Sequence, residues 1–239
     1  MHILPFMEEQ AVYDGIDHKK PLADPANSQA VQKIVSTVIC PSDPTSTNPI
    51  LTERQFGANH PCPPTQLGLW YAASIGPTHD GVAMNDGCPY CENRTPGPSN
   101  YCCQGFNYGT SGSPNRAIAP QTFAGLFGRC PKGVKFGQVK DGLSHTIMVG
   151  EVLPGECAFQ SAFSQNFPVA SHVVPMNTFQ SATPSGGTYL RACGFKSKHP
   201  GGANFALGDG SVHSINETID YRLYCNLGTR AGGEAAQLP

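Results

Sequence analysis

The sequence predicts an α+β protein: short N-terminal helices packed on an antiparallel β-sheet, with long disulfide-stapled loops, in a single domain over residues 1–239. Three observations predict it. Helical periodicity comes first, and short apolar strands separated by long insertions follow. Gly (27) and Pro (22) make up close to a fifth of the residues, well above their usual roughly 7% and 5%, which demands many turns. Ten cysteines, an even number in a Pro/Gly-rich chain, point to a disulfide framework formed in an oxidising compartment.

Residues 5–14 are predicted as a short helix, with Pro5 in its first turn, Phe6, Met7, Ala11 and Val12 apolar, and Gly15 closing it. A second helix is expected from Ser28, where Ala30, Val31, Ile34, Val35 and Val38 recur at helical spacing until Cys40-Pro41-Ser42-Asp43-Pro44 stops it. Segment 41–66, punctuated by Pro, Thr, Ser and Asn, is predicted as a surface loop. Leu69 to Ile75 is dense in aromatic and apolar residues and predicts a strand. The chain is turn-rich again over 76–114, with helical character returning at 120–127. Val134 to Val139 alternates with period two, as a half-buried strand does, and Thr146 to Val152 forms another after the Asp141-Gly142 turn. Residues 154–186 are loop-like, and Thr188 to Phe195 leads into a hairpin of Asn204–Gly208 and Ser211–Ile215. A last helix is expected at 219–227, with Ile219, Leu223 and Leu227 on one face and Gly228 as its stop.

Charged residues make up only 13% and the net charge is -2, which leaves no electrostatic footprint for nucleic acid or an anionic membrane. No apolar run is long enough to span a membrane, and no charged n-region precedes an apolar h-region. The chain opens on Met1-His2-Ile3-Leu4-Pro5-Phe6, already apolar, as if an upstream segment had been removed or the reading frame began late. Gly-x-Ser-x-Gly, His-Glu-x-x-His and phosphate-loop patterns are absent. Asn93-Arg94-Thr95 and Asn216-Glu217-Thr218 match glycosylation acceptors and are read as chance.

Cys40, Cys62, Cys88, Cys91, Cys102, Cys103, Cys130, Cys157, Cys193 and Cys225 are all disulfide candidates, with their pairing left open. Cys88-Pro89-Tyr90-Cys91 has the spacing of a redox motif. Its context is wrong, because Ala83 to Gly87 is no buried strand and Glu92 to Pro98 cannot start the helix whose dipole would lower the first thiol's pKa. A zinc site from Cys88, Cys91, Cys102 and Cys103 would need adjacent cysteines on one tetrahedral ion. A local disulfide cluster that staples a polar loop is favoured over both; closing about 15 residues is worth around 3 kcal/mol.

His199 to Val212 sets nine residues between a His and Asp209-Gly210. Asp-Gly suits a two-residue turn with positive φ at both positions. That register sets Gly208 opposite Ser211, Ala206 opposite His213 and Asn204 opposite Ile215. His199 and Asp209 form a tempting acid–base pair, but a strand rising about 3.3 Å per residue separates them by some 20 Å. Asp209 is therefore assigned to the turn. His199 is assigned to a hydrogen bond fixing the approach to the hairpin, with metal or ligand contact as the alternative. Glu151 ends an apolar run, and a buried carboxylate needs a partner; Arg191, Lys198 and His199 are candidates. Asp141-Gly142-Leu143-Ser144 predicts a turn whose side chains bond local amides.

Five blocks taken together resemble a bacterial family of prepilin-like proteins of unknown function, family 1559 of the domains of unknown function. It is named for its His-(nine residues)-Asp-Gly signature. The blocks are Leu4 to Gln10 with Tyr13, Cys40 to Pro44, Asp141 to Glu151, His199 to Val212, and Thr229 to Glu234. They cover almost the whole chain, and their signature positions are Asp141, Gly142, Glu151, His199, Asp209 and Gly210. Members usually start with a prepilin leader, a processing site and a long hydrophobic helix, none of which occurs in this sequence. As a complete product, the chain could not assemble by bundling such helices.

The resemblance implies a pilin-like globular head at or outside the cell envelope, without enzymatic activity, catalytic residues, cofactor or metal. The expected function is a non-enzymatic extracellular or cell-surface structural protein. Its partners are copies of itself, in a filament, fibre or tube. The alternative is a surface module for carbohydrate or a divalent cation using loops 41–66, 76–114 and 154–186. A hydrolase built around His199 ranks last.

Overall fold

The computed structural model describes residues 2–54, 62–78, 90, 123–128, 134–164, 168–179, 193–234, 236 and 238. Seven strands lie among them: β1 (Ile50–Leu51), β2 (Gln66–Leu67), β3 (Tyr71–Gly76), β4 (Ile147–Glu151), β5 (Val169–Ser171), β6 (Gly202–Leu207) and β7 (Val212–Asn216). β1 and β2 form a small antiparallel ribbon. The other five make one sheet in the order β5-β3-β4-β6-β7. Three of its pairings are antiparallel, but β5 runs parallel to β3. The sheet is therefore mixed, which corrects the expectation of an antiparallel one. β5 falls inside the segment predicted as loop 154–186, and three residues are too few to carry a period.

The strands alternate between two faces. Ala72, Ile147, Ala203, Phe205, Leu207 and Ile215 share one buried cluster with Phe195, Tyr224 and Leu227. Phe205 meets Phe195 edge to face at 5.2 Å, and burying each ring contributes roughly 1.5–3 kcal/mol. Gly150 makes room for both, since a Cβ there would lie 2.5 Å from Phe205 and 2.6 Å from Phe195. The cluster is covered by an α-helix, Tyr221–Asn226, started by Asp220, whose carboxylate accepts the Leu223 amide at 2.9 Å. This is the helix predicted at 219–227, with Leu227 and Gly228 at its end.

The N-terminal segment departs from its prediction. Glu8 adopts a left-handed φ of 63° and splits the first helix into a 3-10 turn, Leu4–Met7, and an α-helix, Gln10–Asp14. No helix runs from Ser28 to Val38; two 3-10 turns, Ala30–Gln32 and Ser36–Val38, stand there with extended Lys33 and Val35 between. The β-branched Val31, Ile34, Val35, Thr37 and Val38 pay for χ1 freedom in a helix. Val31 and Val35 are buried against Leu67 and Phe163 all the same. The alternation at 134–139 forms no half-buried strand but an exposed 3-10 turn, Phe136–Gln138. In the stretch predicted helical at 120–127, Ala124 to Leu126 form bends among the described residues.

One disulfide lies among the described residues, Cys157–Cys193, in a cluster with Ile75, Phe123, Phe159 and Val169. Buried Arg54 donates to the carbonyls of Pro154 and Cys157, pinning that loop beside the β1–β2 ribbon. Burial holds its guanidinium down to about 10. Among the described residues no helix is long and apolar enough to cross a membrane.

Candidate functional site

Three chain segments meet at the end of β4. Glu151 is its last residue, buried, and stands opposite Tyr71 across the β3–β4 pairing. Cys40 arrives from the 3-10 turn Ser36–Val38, held by the segment that follows it. There Asp43, itself buried, accepts the Thr45 amide at 3.0 Å and the Trp70 indole N–H at 2.8 Å. Its own amide donates back to the Cys40 carbonyl at 3.3 Å. His199 comes from the turn before β6, where Gly201 takes a φ of 80°. Its amide donates to Ser197 Oγ at 3.1 Å.

His199 Nε2 lies 3.2 Å from Glu151 Oε1. Cys40 Sγ lies 3.7 Å from that same Oε1 and 3.7 Å from that same Nε2. Asn204 on β6 fixes the carboxylate, donating its amide to Oε2 at 2.8 Å and its side-chain Nδ2 to Oε1 at 3.2 Å. Tyr71 closes the group, sharing a hydrogen bond with the Cys40 sulfur. Burial, followed by Cys40 and then Glu151, pushes its phenol up to about 12. Cys40 Sγ, Glu151 Oε1 and His199 Nε2 each offer one metal-ligating atom, all within 4.8 Å of one another.

Buried Glu151 thus has a partner in His199, one of the three candidates its position suggested. Arg191 lies outside the described residues, and Lys198 Nζ approaches Glu156 at 3.9 Å. Cys40, a disulfide candidate, is a thiol. The thiol and the acid crowd one imidazole nitrogen. A nucleophile relay needs the acid on the nitrogen opposite the thiol, so this is not a relay geometry.

A family model described as "Protein of unknown function (DUF1559)" matches residues 1–222. The chain belongs to the DUF1559 family. No curated protein and no solved structure matches it.

The signature positions fall into three places. His199 and Glu151 sit in the cluster just described. Asp209 does not approach His199's partners; its exposed carboxylate accepts the Ser211 amide at 2.9 Å and the Ser211 hydroxyl at 2.7 Å. The hairpin is shifted by one residue from its predicted register, pairing Ala206 with Val212 and Phe205 with His213. Its turn has three residues, Gly208 to Gly210, with only Gly210 at positive φ, 86°. A G1 bulge of this kind needs one left-handed residue where the two-residue turn needs two.

Asp141 and Gly142 correct a second expectation. Gly142 has a φ of 94°, but Asp141 does not bond local amides with its side chain. Its carboxylate accepts the amides of Gly232 at 2.7 Å and Gly233 at 2.9 Å, and the Thr229 hydroxyl at 3.2 Å. Asp141, inside the matched residues, and Thr229 to Glu234, beyond them, therefore form a single clasp. Cys62 Sγ lies 3.4 Å from Ser164 Oγ, and Cys225 Sγ donates to the His172 carbonyl at 3.5 Å. Cys88, Cys91, Cys102, Cys103 and Cys130 lie outside the described residues, and with them the redox, zinc and disulfide-cluster readings of that loop.

The missed feature is Cys40. It is 111 residues from Glu151 and 159 from His199, so no local spacing links them. The available signal was that each of the three lies in one of the blocks that carry the family resemblance.

Proposed function

We propose that this DUF1559 protein is a non-enzymatic structural subunit, a single pilin-like head at the cell surface or outside it, that self-associates into a filament, fibre or tube. The observation that carries the reading is the sheet face away from the buried cluster. A groove of about 410 Å³ opens there, lined by Ile3, Met7, Tyr71, Val149, Ala206 and Val212 among others. Ile3 is 63% exposed and Val212 70% exposed, so apolar surface sits at its rim, where a monomer gains nothing by it. The Cys157–Cys193 disulfide fits an oxidising, non-cytoplasmic compartment. The shared nitrogen of the Cys40–His199–Glu151 group supports the non-enzymatic part of the reading.

Sedimentation velocity and cryo-EM of the purified chain over a rising concentration series test it. Concentration-dependent oligomers or filaments are expected, weakened by Val212→Asp. A monomer that persists at the highest concentration overturns the reading. The alternative, a surface module for carbohydrate or a divalent cation, rests on three loops, of which 76–114 lies largely outside the described residues.

A further inference from the structure

We propose that Cys40, Glu151 and His199 bind a divalent transition-metal ion of the zinc type, as thiolate, carboxylate and imidazole ligands. The argument is geometric. With bonds of about 2.3 Å to sulfur and about 2.1 Å to nitrogen or oxygen, a tetrahedral ion sets S···N and S···O edges of about 3.6 Å and an N···O edge of about 3.4 Å. The three edges of the cluster are 3.7, 3.7 and 3.2 Å. They outline one face of that tetrahedron.

Hydrogen bonding accounts for the cluster less well. Glu151 Oε1 faces the Cys40 thiol, the His199 ring nitrogen and Asn204 Nδ2, three donors for about two lone pairs. A cation in place of the thiol and imidazole protons satisfies all three ligands with one partner. It also neutralises a buried carboxylate whose ion-pair partner among the described residues is His199. The charge balances: thiolate and carboxylate together match a divalent ion, binding releases the thiol proton, and the imidazole binds as the neutral ring through an unprotonated Nε2. Softness decides the class, because a thiolate with an imidazole selects zinc or cobalt over calcium or magnesium. Asn204 is the positioning residue, orienting the carboxylate from outside the ligand set. His199, with 36% of its side chain exposed, marks the side from which an ion enters and from which water completes the tetrahedron.

The test uses the full chain with its disulfide intact, stripped with chelator and titrated with Co²⁺ and then Zn²⁺ alone. Wild type is expected to take up one equivalent with a thiolate-to-cobalt charge-transfer band and the visible bands of tetrahedral cobalt, which Zn²⁺ bleaches. Cys40→Ser and His199→Gln each lose that equivalent and those bands. Asn204→Ala retains them with affinity weaker by on the order of 10- to 100-fold. Circular dichroism of the metal-free variants checks folding, and half-exposed His199 gives a variant that does not open the core. Wild type binding less than one equivalent overturns the proposal, and so does equal uptake by wild type and folded His199→Gln.

Discussion

His172 donates its Nδ1 proton to the carbonyl oxygen of Tyr224 at 2.9 Å, tying the residue after β5 to the helix that covers the sheet. Its Nε2 then accepts from the Ser74 hydroxyl at 3.1 Å, so the neutral ring is satisfied on both sides. Phe195 packs at 5.0 Å and the Tyr224 ring at 4.6 Å. Gly228 completes the box, because a Cβ there would lie 2.6 Å from the imidazole. Burial drives the ring's pKa down to about 3, against the pull of the Tyr224 carbonyl.

That ring makes the protein acid-sensitive. In the unfolded chain His172 titrates near 6.5, whereas in the fold it stays neutral down to about 3. The unfolded state therefore binds the extra proton throughout that interval. Stability from the neutral ring is whole above 6.5 and falls as pH drops through it, by roughly 1.4 kcal/mol per pH unit. Urea unfolding at stepped pH just below 6.5 should show this slope, and His172→Gln should be flatter by about that amount. Parallel slopes in the two proteins would refute the assignment.

The Asp141 clasp joins two parts of the chain 91 residues apart. Asp141→Ala removes the acceptor for two amides and a hydroxyl. A loss of about 1–3 kcal/mol is expected, read as a lower urea midpoint at unchanged m. Asp141→Asn should fall between the two.

Two glycines of the signature hairpin should respond differently. Gly210→Ala meets open space and strains only its positive φ, at about 1 kcal/mol. Gly202→Ala would set a Cβ 2.1 Å from the Ile215 carbonyl oxygen across the β6–β7 pairing, at about 3 kcal/mol or more. Thermal unfolding of the pair should rank them in that order.

The Cys157–Cys193 bridge spans a separation of 36 residues. Chain entropy assigns such a loop about 4 kcal/mol. The double Ala variant should melt correspondingly lower, and reductant should lower wild type by more than it lowers the variant.

Features with a strong local cause were legible in the sequence. β3, β4, the β6–β7 hairpin and the last helix all appear close to their predicted bounds, because aromatic and apolar density, Asp-Gly and the Gly228 stop act within a few residues. The hairpin's one-residue register shift escaped, since Asp-Gly serves both a two-residue turn and a three-residue turn with Gly210 at positive φ. The helix expected from Ser28 failed because the pull on Val31 and Val35 comes from Leu67 and Phe163, far along the chain. Parallel β5 was invisible for the same reason. Of the site, the need of Glu151 for a partner such as His199 could be argued from strand order; Cys40 could not, because tertiary packing alone brings it there.

The parallel β3–β5 pairing has a consequence in time. The central strand β4 finds one neighbour far upstream and the other far downstream, and in the main sheet only β6 and β7 are joined by a tight turn. Such a sheet cannot zip up hairpin by hairpin as the chain is made; long loops must close first, which slows folding. The Asp141 clasp, too, waits for Gly233. Until β6 has been made, one edge of β4 stays unpaired and the main sheet stays open.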